Sequence, residues 1–301
     1  MKLGKTGVSL KALAFAKLNL TLEVLGRRSD GYHEVSSILQ TIDLADNLEI
    51  LPAPALQVEC DDPSLNGQAN LVWHAAVSLA RQSNTQPQAH IYIQKHIPKG
   101  MGLGGGSSDA ACALVALNRL WGLDLTTEDL AGVASGLGSD VPFFLWGGTA
   151  LAQGRGEQVT DLPPLPVLPV TLVCPKTTLP DKTASLYACL TPAHYSDGGI
   201  THRMIENLTG GQFVVESVAG LIHNVFEEVA PKAFLDLGWL QQKMNDLARG
   251  RFHLSGSGPA LFALPSCENE YQRVANALQL YDVGVYLVNT VTRETGLGAG
   301  N

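Results

Sequence analysis

Apolar and polar residues alternate along the chain from residue 10 to residue 24. Every second position there is Leu, Ala or Val, and Lys17 and Asn19 occupy positions between them. Successive side chains of a strand point to opposite faces, so this period predicts a long strand with Lys17 and Asn19 on its polar face. Most such faces are simply solvated, and the pattern alone assigns these two residues no chemistry.

The first half of the chain continues with short strand patterns and amphipathic helix patterns. Alternating runs predict further strands at 36–44, 48–51, 90–97 and, with an interruption at 154–156, at 149–159. Runs rich in helix formers predict helices at 70–81, 110–121 and 126–136. Thr126 and Asp129 form a capping-box-like pair at the start of the last helix.

A proline-rich segment at 163–169 is the best candidate for a domain boundary. Beyond it, the patterns predict strands at 170–174 and 283–291 and helices at 181–190, 218–229, 232–248 and 268–281, the third of these interrupted at Gly238. Residues 195–201 are predicted to be a mobile loop, and residues 293–301 a loose tail.

The most distinctive stretch is the glycine-rich loop at 98–109, which has five glycines in twelve residues. It lies between a predicted strand and a predicted helix, and Ser107, Ser108 and Asp109 are all acceptable N-caps for that helix. The start of a helix presents unpaired N–H groups and a partial positive charge. Glycines let the backbone approach an anion closely, so the stretch predicts a phosphate-binding loop.

Common nucleotide-binding motifs fit this loop poorly. A P-loop requires G-x-x-x-x-G-K-[ST], and no lysine follows these glycines. Gly100, Gly102 and Gly105 match G-x-G-x-x-G, but the acidic residue at the expected spacing, Asp124, follows a helix instead of a strand. The sequence contains neither H-R-D nor D-F-G, which argues against a protein kinase.

Composition and net charge indicate which kinds of ligand and which cellular compartment suit the chain. The chain has 301 residues, 45% of them hydrophobic, and a net charge of −8. An acidic chain is a poor nucleic-acid binder, and any anionic substrate must be held by local donors. The sequence has no apolar run of membrane-spanning length and no signal-peptide pattern, so a cytoplasmic protein is expected. Its five scattered cysteines are expected to be reduced packing residues.

Two further turns carry polar residues of interest. Asp140 lies in a short polar turn before an apolar stretch, where a turn or N-cap residue and a functional carboxylate are equally good readings. A second glycine-rich turn, at 255–259, lies between two apolar strands. It fits a tight hairpin and a support for the first loop about equally well.

Three stretches, in this order, resemble motifs of the GHMP small-molecule kinase superfamily: AKLNL at 16–20, the loop at 98–108 and SGSGP at 255–259. Within the superfamily, DGYH at 30–33, the triple glycine at 104–106 and GSDVP at 138–142 look like one branch. That branch acts on a cytidine diphosphate conjugate of methylerythritol. The resemblance implies the two-domain α/β (α+β) GHMP kinase fold, with an ATP-binding domain at 1–163, a substrate domain at 164–301 and the active site in the cleft between them.

The resemblance also implies roles for individual residues. Lys17 and Asp140 would be the catalytic pair. The residues implied for ATP binding are Pro98, Lys99, Gly100, Met101, Gly102, Leu103, Gly104, Gly105, Gly106, Ser107 and Ser108, with Lys95 and Asn70 near the adenosine. The residues implied for substrate binding are Asn19, Tyr32, His33, Asp140 and, on a looser match, Thr183, with Tyr32 and His33 at the cytosine.

The implied reaction is ATP-dependent phosphorylation of the 2-hydroxyl of that conjugate, giving the 2-phosphate and ADP, in the non-mevalonate isoprenoid route. ATP is the co-substrate and Mg²⁺ is expected with it, with a Ser107 or Ser108 hydroxyl as a possible ligand. Two alternatives stay open: another superfamily kinase acting on homoserine or mevalonate, and a nucleotide-binding protein without catalysis. Lys17 and Asp140 argue against the second, and Tyr32 with His33 argues against the first.

Overall fold

The computed structural model describes residues 9–177, 181–210, 214–234, 237–248, 252–264 and 266–293. Within them the strands are β1 (Leu10–Arg27), β2 (His33–Leu51), β3 (Gln57–Cys60), β4 (His90–Gln94), β5 (Thr149–Gly154), β6 (Gln158–Asp161), β7 (Pro169–Pro175), β8 (His223–Asn224), β9 (His253–Leu254), β10 (Leu261–Ala263) and β11 (Val283–Asn289). The predicted tail lies outside the described residues beyond Arg293.

The α-helices of the same residues are α1 (Leu71–Gln82), α2 (Gly105–Trp121), α3 (Thr127–Ser135), α4 (Phe143–Trp146), α5 (Lys182–Cys189), α6 (Gly199–Thr209), α7 (Val215–Ala219), α8 (Ala230–Ala233), α9 (Leu237–Ala248) and α10 (Glu268–Leu278). Short 3₁₀ turns occur at Pro63–Leu65, Gly67–Ala69, Pro192–His194 and Val225–Glu228.

The strands form two mixed or antiparallel sheets. The first has the order β3-β4-β2-β1-β8, and β5 pairs with the first part of β2 and carries β6 on its outer edge. The second has the order β11-β7-β10-β9. β1 and β2 pair antiparallel over nearly their whole length, so Lys17 and Asn19 lie near the middle of the first sheet.

Apolar burial holds these layers together. One core fills the space between β2, β4 and helices α1 to α3, and includes the fully buried Ile50, Ile91 and Leu114. A second core joins the two sheets, where Leu18 and Leu20 of β1 pack with Phe262 of β10. Because both faces of β1 are covered from residue 16 to residue 24, the polar residues of this strand are buried and not solvated.

The predicted long first strand and the Thr126 capping box are confirmed. The predicted break between 44 and 48 is wrong, because β2 runs without interruption through Asp46. The carboxylate of Asp46 accepts hydrogen bonds from the backbone N–H groups of His96 and Ile97, at 2.5 and 2.8 Å. Hydrogen bonds from residues distant in the sequence therefore let Asp46 continue the strand, although a polar residue at this position favours a strand end.

The N-cap of helix α2 also differs from the expectation. It is Gly104, whose φ of +74° is left-handed, so Ser107, Ser108 and Asp109 fall inside the helix and do not cap it. A side chain at this position would collide with the ring of Phe144, at 2.5 Å from a Cβ. The helix therefore begins within the triple glycine, which brings its first-turn N–H groups into the loop.

Three predictions in the second half are wrong. Residues 218–229 are not one helix: Asn224 is extended in β8, and its amide donates to the carbonyls of Leu254 and Gly256, at 2.8 Å each. The interruption in 232–248 falls at Phe234, while Gly238 lies inside α9. In the predicted loop 195–201, the last three residues begin helix α6.

The error at 195–201 has a clear physical cause. The carboxylate of Glu23 accepts hydrogen bonds from the Ser196 hydroxyl, at 2.8 Å, and from the Thr201 N–H, at 2.7 Å. Glu23 is buried at the N-terminal end of α6, where the helix dipole favours a negative charge. This segment is therefore fixed onto β1. Among the helices that the described residues form, none is both long and apolar enough to cross a lipid bilayer.

Candidate active site

A cavity of about 480 Å³ opens beside the glycine-rich loop and is lined by strands of the first sheet, by helix α5 and by connecting segments that include the turn between β9 and β10. Of the residues implied by the resemblance, those that line it are Lys17, Asn19, Asn70, Lys95, Pro98, Lys99, Gly100, Met101, Gly102, Leu103, Gly104, Gly105, Gly106, Ser107, Asp140 and Thr183. Ser108 is buried one residue further into helix α2, and Tyr32 and His33 lie at the rim, in contact with the lining residues Arg155 and Tyr187. The structure thus brings together residues from distant parts of the sequence.

The candidate catalytic pair meets at the floor of this cavity. The Nζ of Lys17 lies 3.7 Å from Oδ2 of Asp140. The lysine side chain is 4% exposed and that of the aspartate 40%, so the carboxylate is open to a ligand while the ammonium is fixed behind it. Burial lowers the pKa of Lys17, and the attraction of Asp140 and a hydrogen bond to it work in the opposite direction.

Lys17 is held in place by its own strand and by the loop. Its ammonium donates to Oδ1 of Asn19, and its backbone N–H donates to the carbonyl of Leu103 at 3.0 Å. The Asn19 amide in turn donates to the Ser37 hydroxyl at 2.8 Å, and this hydroxyl donates to the carbonyl of Thr21 at 2.5 Å. The chain of hydrogen bonds fixes the side chains of Lys17 and Asn19 before any ligand binds.

The glycine-rich loop takes its shape from left-handed residues. Gly100, Gly102 and Gly104 have φ values of +73°, +80° and +74°. Since helix α2 begins at Gly105, its first-turn N–H groups have no acceptor within the helix and face the cavity side of the loop. These groups and the positive end of the helix dipole suit an anion, and phosphate binding by the loop stays a prediction.

The second glycine-rich turn, at 255–259, supports the first. It joins β9 to β10 as a hairpin, and the Ser255 hydroxyl donates to the carbonyl of Gly102 at 3.2 Å. The N–H of Ala260 donates to the carbonyl of Met101 at 3.2 Å. The turn is therefore both a hairpin and a support, the two readings that the sequence leaves open.

Lys95 is bound by two buried carboxylates. Its Nζ lies 2.5 Å from Oδ2 of Asp46 and 2.6 Å from Oδ2 of Asp109. Burial opposes the charge of this lysine, but Asp109 and Asp46 prevail and raise its pKa. Burial raises the pKa of Asp109 to about 7, with Lys95 opposing and Asp46 adding to the effect. The cluster anchors the first turn of helix α2 to strand β2.

Asn70 and Lys99 shape the mouth of the cavity. Asn70 is the N-cap of α1: its Oδ1 accepts from the N–H of Val72 at 3.0 Å, and its amide donates to the carbonyl of Leu65 at 2.9 Å. Lys99 lies on the loop and pairs with Asp62 at 3.1 Å. Asn70 thus has a structural role that is compatible with, and independent of, contact with a nucleotide.

Aromatic residues form the rim at the other end. His33 stacks on Tyr187, with ring centroids 4.8 Å apart, and has Tyr195 edge-on at 6.0 Å. Tyr32 is 55% exposed and lies under the guanidinium of Arg155, at 4.9 Å. Burial and the charge of Arg27 lower the pKa of His33, so its ring is neutral near pH 7. Neutral imidazole and an open aromatic face suit a nucleobase.

The sequence reasoning missed several residues that line the cavity. Thr183 was expected in the site, and its hydroxyl shares a hydrogen bond with the Ser257 hydroxyl at 2.9 Å. Three other residues were not expected. The neighbouring Lys182 also lines the cavity, as do Arg155 and Tyr187. No local motif marks any of these three. Arg155 comes from the turn between β5 and β6, and Lys182 and Tyr187 enter the site through long-range packing of the second half of the chain on the first.

Comparison with known proteins first defines the class. Residues 70–148 match the family model "GHMP kinases N terminal domain". A homoserine kinase from Cytophaga hutchinsonii has the same fold, with a TM-score of 0.72 and 16% identity over 98% of each chain. Both matches show the GHMP kinase fold, which confirms the predicted fold class.

Relatives that match over the whole chain define the family. A 4-diphosphocytidyl-2-C-methyl-D-erythritol kinase of Dehalococcoides mccartyi is 38% identical over 283 residues, covering 94% of this chain and 98% of the relative. One of Enterococcus faecalis is 38% identical and covers 92% of this chain and 97% of its own. A crystal structure of a 4-(cytidine 5'-diphospho)-2C-methyl-D-erythritol kinase matches with a TM-score of 0.76 and 34% identity, covering 93% of this chain and 98% of its own. The chain belongs to the 4-diphosphocytidyl-2-C-methyl-D-erythritol kinase family, and is an ATP-dependent kinase with a small-molecule substrate.

Proposed function

We propose that this protein transfers the γ-phosphoryl group of ATP to the 2-hydroxyl of 4-diphosphocytidyl-2-C-methyl-D-erythritol, giving the 2-phosphate and ADP. The observation that carries this proposal is the juxtaposition of two sites in one cavity. A glycine-rich helix start, suited to a triphosphate, faces a buried lysine paired at 3.7 Å with an accessible aspartate. The relatives named for the same conversion support the choice of acceptor.

In the proposed step, the acceptor oxygen attacks the γ-phosphorus in line with the bond to the β-phosphate oxygen, and ADP leaves with the electron pair of that bond. The hydroxyl proton goes to the carboxylate of Asp140. Lys17, fixed by Asn19, stabilises the negative charge that develops on the acceptor oxygen. Charge stabilisation and alignment supply most of the catalysis in such a transfer, which fits a site made of preordered donors.

The metal that accompanies ATP has oxygen donors close to the loop. We assign Mg²⁺ to the Ser107 hydroxyl, which lines the cavity, and to Asp109, whose buried Oδ1 has no hydrogen-bond partner among the described residues. Carboxylate and hydroxyl oxygens suit this ion, which takes few protein ligands when phosphates supply the others. When bound, it would neutralise part of the triphosphate charge.

We assign acceptor recognition to the rim. Tyr32 and the stacked pair of His33 and Tyr187 would bind the cytosine, while Asn19 and Thr183 would position the rest of the acceptor. The open face of Tyr32 and the neutral ring of His33 support this assignment. We also propose that residues 1–163 and 164–301 are separate domains, and that the reaction takes place in the cytoplasm.

The acceptor is tested by ADP release. Purified protein is incubated with Mg²⁺ and ATP and with one of 4-diphosphocytidyl-2-C-methyl-D-erythritol, homoserine, mevalonate or no acceptor, and ADP is measured by a coupled assay. We expect ADP above the no-acceptor rate with the cytidine conjugate alone. Equal turnover of homoserine or mevalonate would show a different acceptor, and no turnover of any alcohol would support binding without catalysis.

A further inference from the structure

Lys182 is a half-buried cation of the cavity that the proposed mechanism does not use. It is the first residue of helix α5 and lines the same cavity as Lys17 and Asp140. Its ammonium donates to the carbonyl of Gly258, in the turn that supports the glycine-rich loop. It therefore reaches the site from helix α5, whereas Lys17 comes from strand β1.

The cations that line the cavity differ in their partners. Four of them each face at least one carboxylate within 4 Å. Lys95 faces Asp46 and Asp109, and Lys99 faces Asp62. Arg155 faces Glu157, and Lys17 faces Asp140. Lys182 has no carboxylate at that distance within the described part of the chain, and its ammonium has only the neutral carbonyl of Gly258.

Burial and a neighbouring like charge make the protonated form of Lys182 unfavourable. Burial lowers the pKa of Lys182 to about 8, the like charge of Lys17 lowers it as well, and Asp140 opposes them. The charges of Lys17 and Asp140 both act on this ammonium, and all three residues line the same cavity. A desolvated cation that lacks a counter-ion becomes favourable when an anion binds beside it.

We infer that Lys182 is a further catalytic residue, whose ammonium binds the oxygens of the γ-phosphoryl group while it moves from ADP to the acceptor. The inference rests on the proposed phosphoryl transfer, and it adds the Lys182 ammonium to that of Lys17 beside the transferring phosphoryl group. The loop N–H groups and the Lys182 ammonium would then both bind this group. An acidic chain with a net charge of −8 needs such local donors for a triphosphate.

The test compares two nucleotides that differ in the γ-phosphate, and it needs no acceptor. In the presence of Mg²⁺, calorimetry measures the affinity of the protein for ADP and for the non-hydrolysable imido analogue of ATP. The variants are Lys182→Met, which removes the charge and the donor, and Lys182→Gln, which keeps a donor for the Gly258 carbonyl. The control is Lys176→Met, which removes an exposed lysine paired with Asp282.

We expect both Lys182 variants to bind the ATP analogue at least tenfold more weakly, with ADP affinity changed less than twofold. In the ADP-release assay their kcat should fall roughly 10²-fold, the usual loss for one transition-state donor. The Lys176 variant should match the wild type. If Lys182→Met does not melt cooperatively, Lys182→Gln alone decides the result.

Two outcomes would overturn the inference. If Lys182→Gln prefers the ATP analogue over ADP as strongly as the wild type does, Lys182 only supports the turn. If the affinities for ADP and for the ATP analogue fall equally, Lys182 lies away from the γ-phosphate. The proposed function fails separately: a wild type that binds the ATP analogue but phosphorylates none of the alcohols refutes the function, while the nucleotide comparison still decides the role of Lys182.

Discussion

Replacing Gly102 with alanine should destabilise the protein by more than its backbone conformation alone requires. Gly102 has a φ of +80°, where an L-residue costs about 1–2 kcal/mol. A Cβ at this position would also lie 2.1 Å from the carbonyl oxygen of Ser255 and 2.9 Å from the nitrogen of Gly258. Both atoms are backbone, so the turn at 255–259 must move, and overpacking of this kind costs about 1–3 kcal/mol.

Gly100→Ala is the matched control. Gly100 belongs to the same loop and has a φ of +73°, but a Cβ there would have nothing within 4 Å. This variant therefore incurs only the left-handed penalty of about 1–2 kcal/mol. The free energy of unfolding should fall by about 2–5 kcal/mol in Gly102→Ala, and the difference between the two variants, about 1–3 kcal/mol, measures the contact between the two glycine-rich turns.

Urea unfolding followed by tryptophan fluorescence measures these free energies, and melting temperatures provide a second reading. Since a Cβ on Gly256 would come within 3.0 Å of the Lys17 ammonium, a displaced turn should also disturb the catalytic pair. We therefore expect kcat to fall more in Gly102→Ala than in Gly100→Ala. Equal unfolding free energies for the two variants would refute the claim that the second turn supports the phosphate-binding loop.

Further predictions concern the chemistry, the acceptor and the effect of pH. Asp140→Asn should lower kcat about 10²–10⁴-fold with nucleotide affinity retained, and a near-normal kcat would reduce Asp140 to a turn residue. Lys17→Ala should also lower kcat, and steady-state kinetics of the double variant should show losses that do not add, since the two residues act as a unit. Tyr32→Ala should weaken acceptor binding by ~1–3 kcal/mol, measured as a raised acceptor KM at unchanged ATP KM. Asp109→Asn should gain stability relative to the wild type between pH 5 and pH 8 in urea unfolding. The pKa of Asp109 is about 7 in the folded protein against an ordinary value of 3.8, so the folded wild type binds the extra proton, and loses that stabilisation as the pH rises through 7.

Local signals in the sequence were sufficient for the elements that carry the glycine-rich loop. The density of glycine between a strand and a helix predicts the loop, and the alternation through Lys17 predicts the strand behind it. The Thr126 capping box needs only residues three apart, and it forms as predicted. In each case the partner groups are close in sequence, so the pattern contains the interaction.

The errors occur where the partner is distant. Asp46 continues a strand because backbone N–H groups fifty residues away satisfy it. Asn224 is extended because it binds carbonyls thirty or more residues further along the chain. Glu23 fixes the segment predicted to be mobile from more than 170 residues away. Propensity and periodicity describe only the near neighbours, and such tertiary contacts override them.

Candidate site residues divide in the same way. Lys17 and Asp140 stood out through the resemblance, and the fold brings them within 3.7 Å. Lys182 and Tyr187 come from helix α5, which no motif marks, and enter the cavity only because that helix packs against the first sheet. The sequence also did not indicate that Lys95 forms ion pairs with Asp46 and Asp109, since the three residues lie on separate elements.

The most direct test of the account is the position of the new phosphate on the product. In 2-C-methyl-D-erythritol the carbon at position 2 is tertiary and has no hydrogen, so a phosphate ester on its oxygen has no three-bond coupling to a proton. Phosphorus-31 NMR of the product formed with Mg²⁺ and ATP should therefore show an unsplit monoester signal beside an intact diphosphate. A doublet or triplet would place the phosphate on a secondary or primary hydroxyl, and orthophosphate without a monoester would show that the cleft hydrolyses ATP and does not transfer its phosphoryl group.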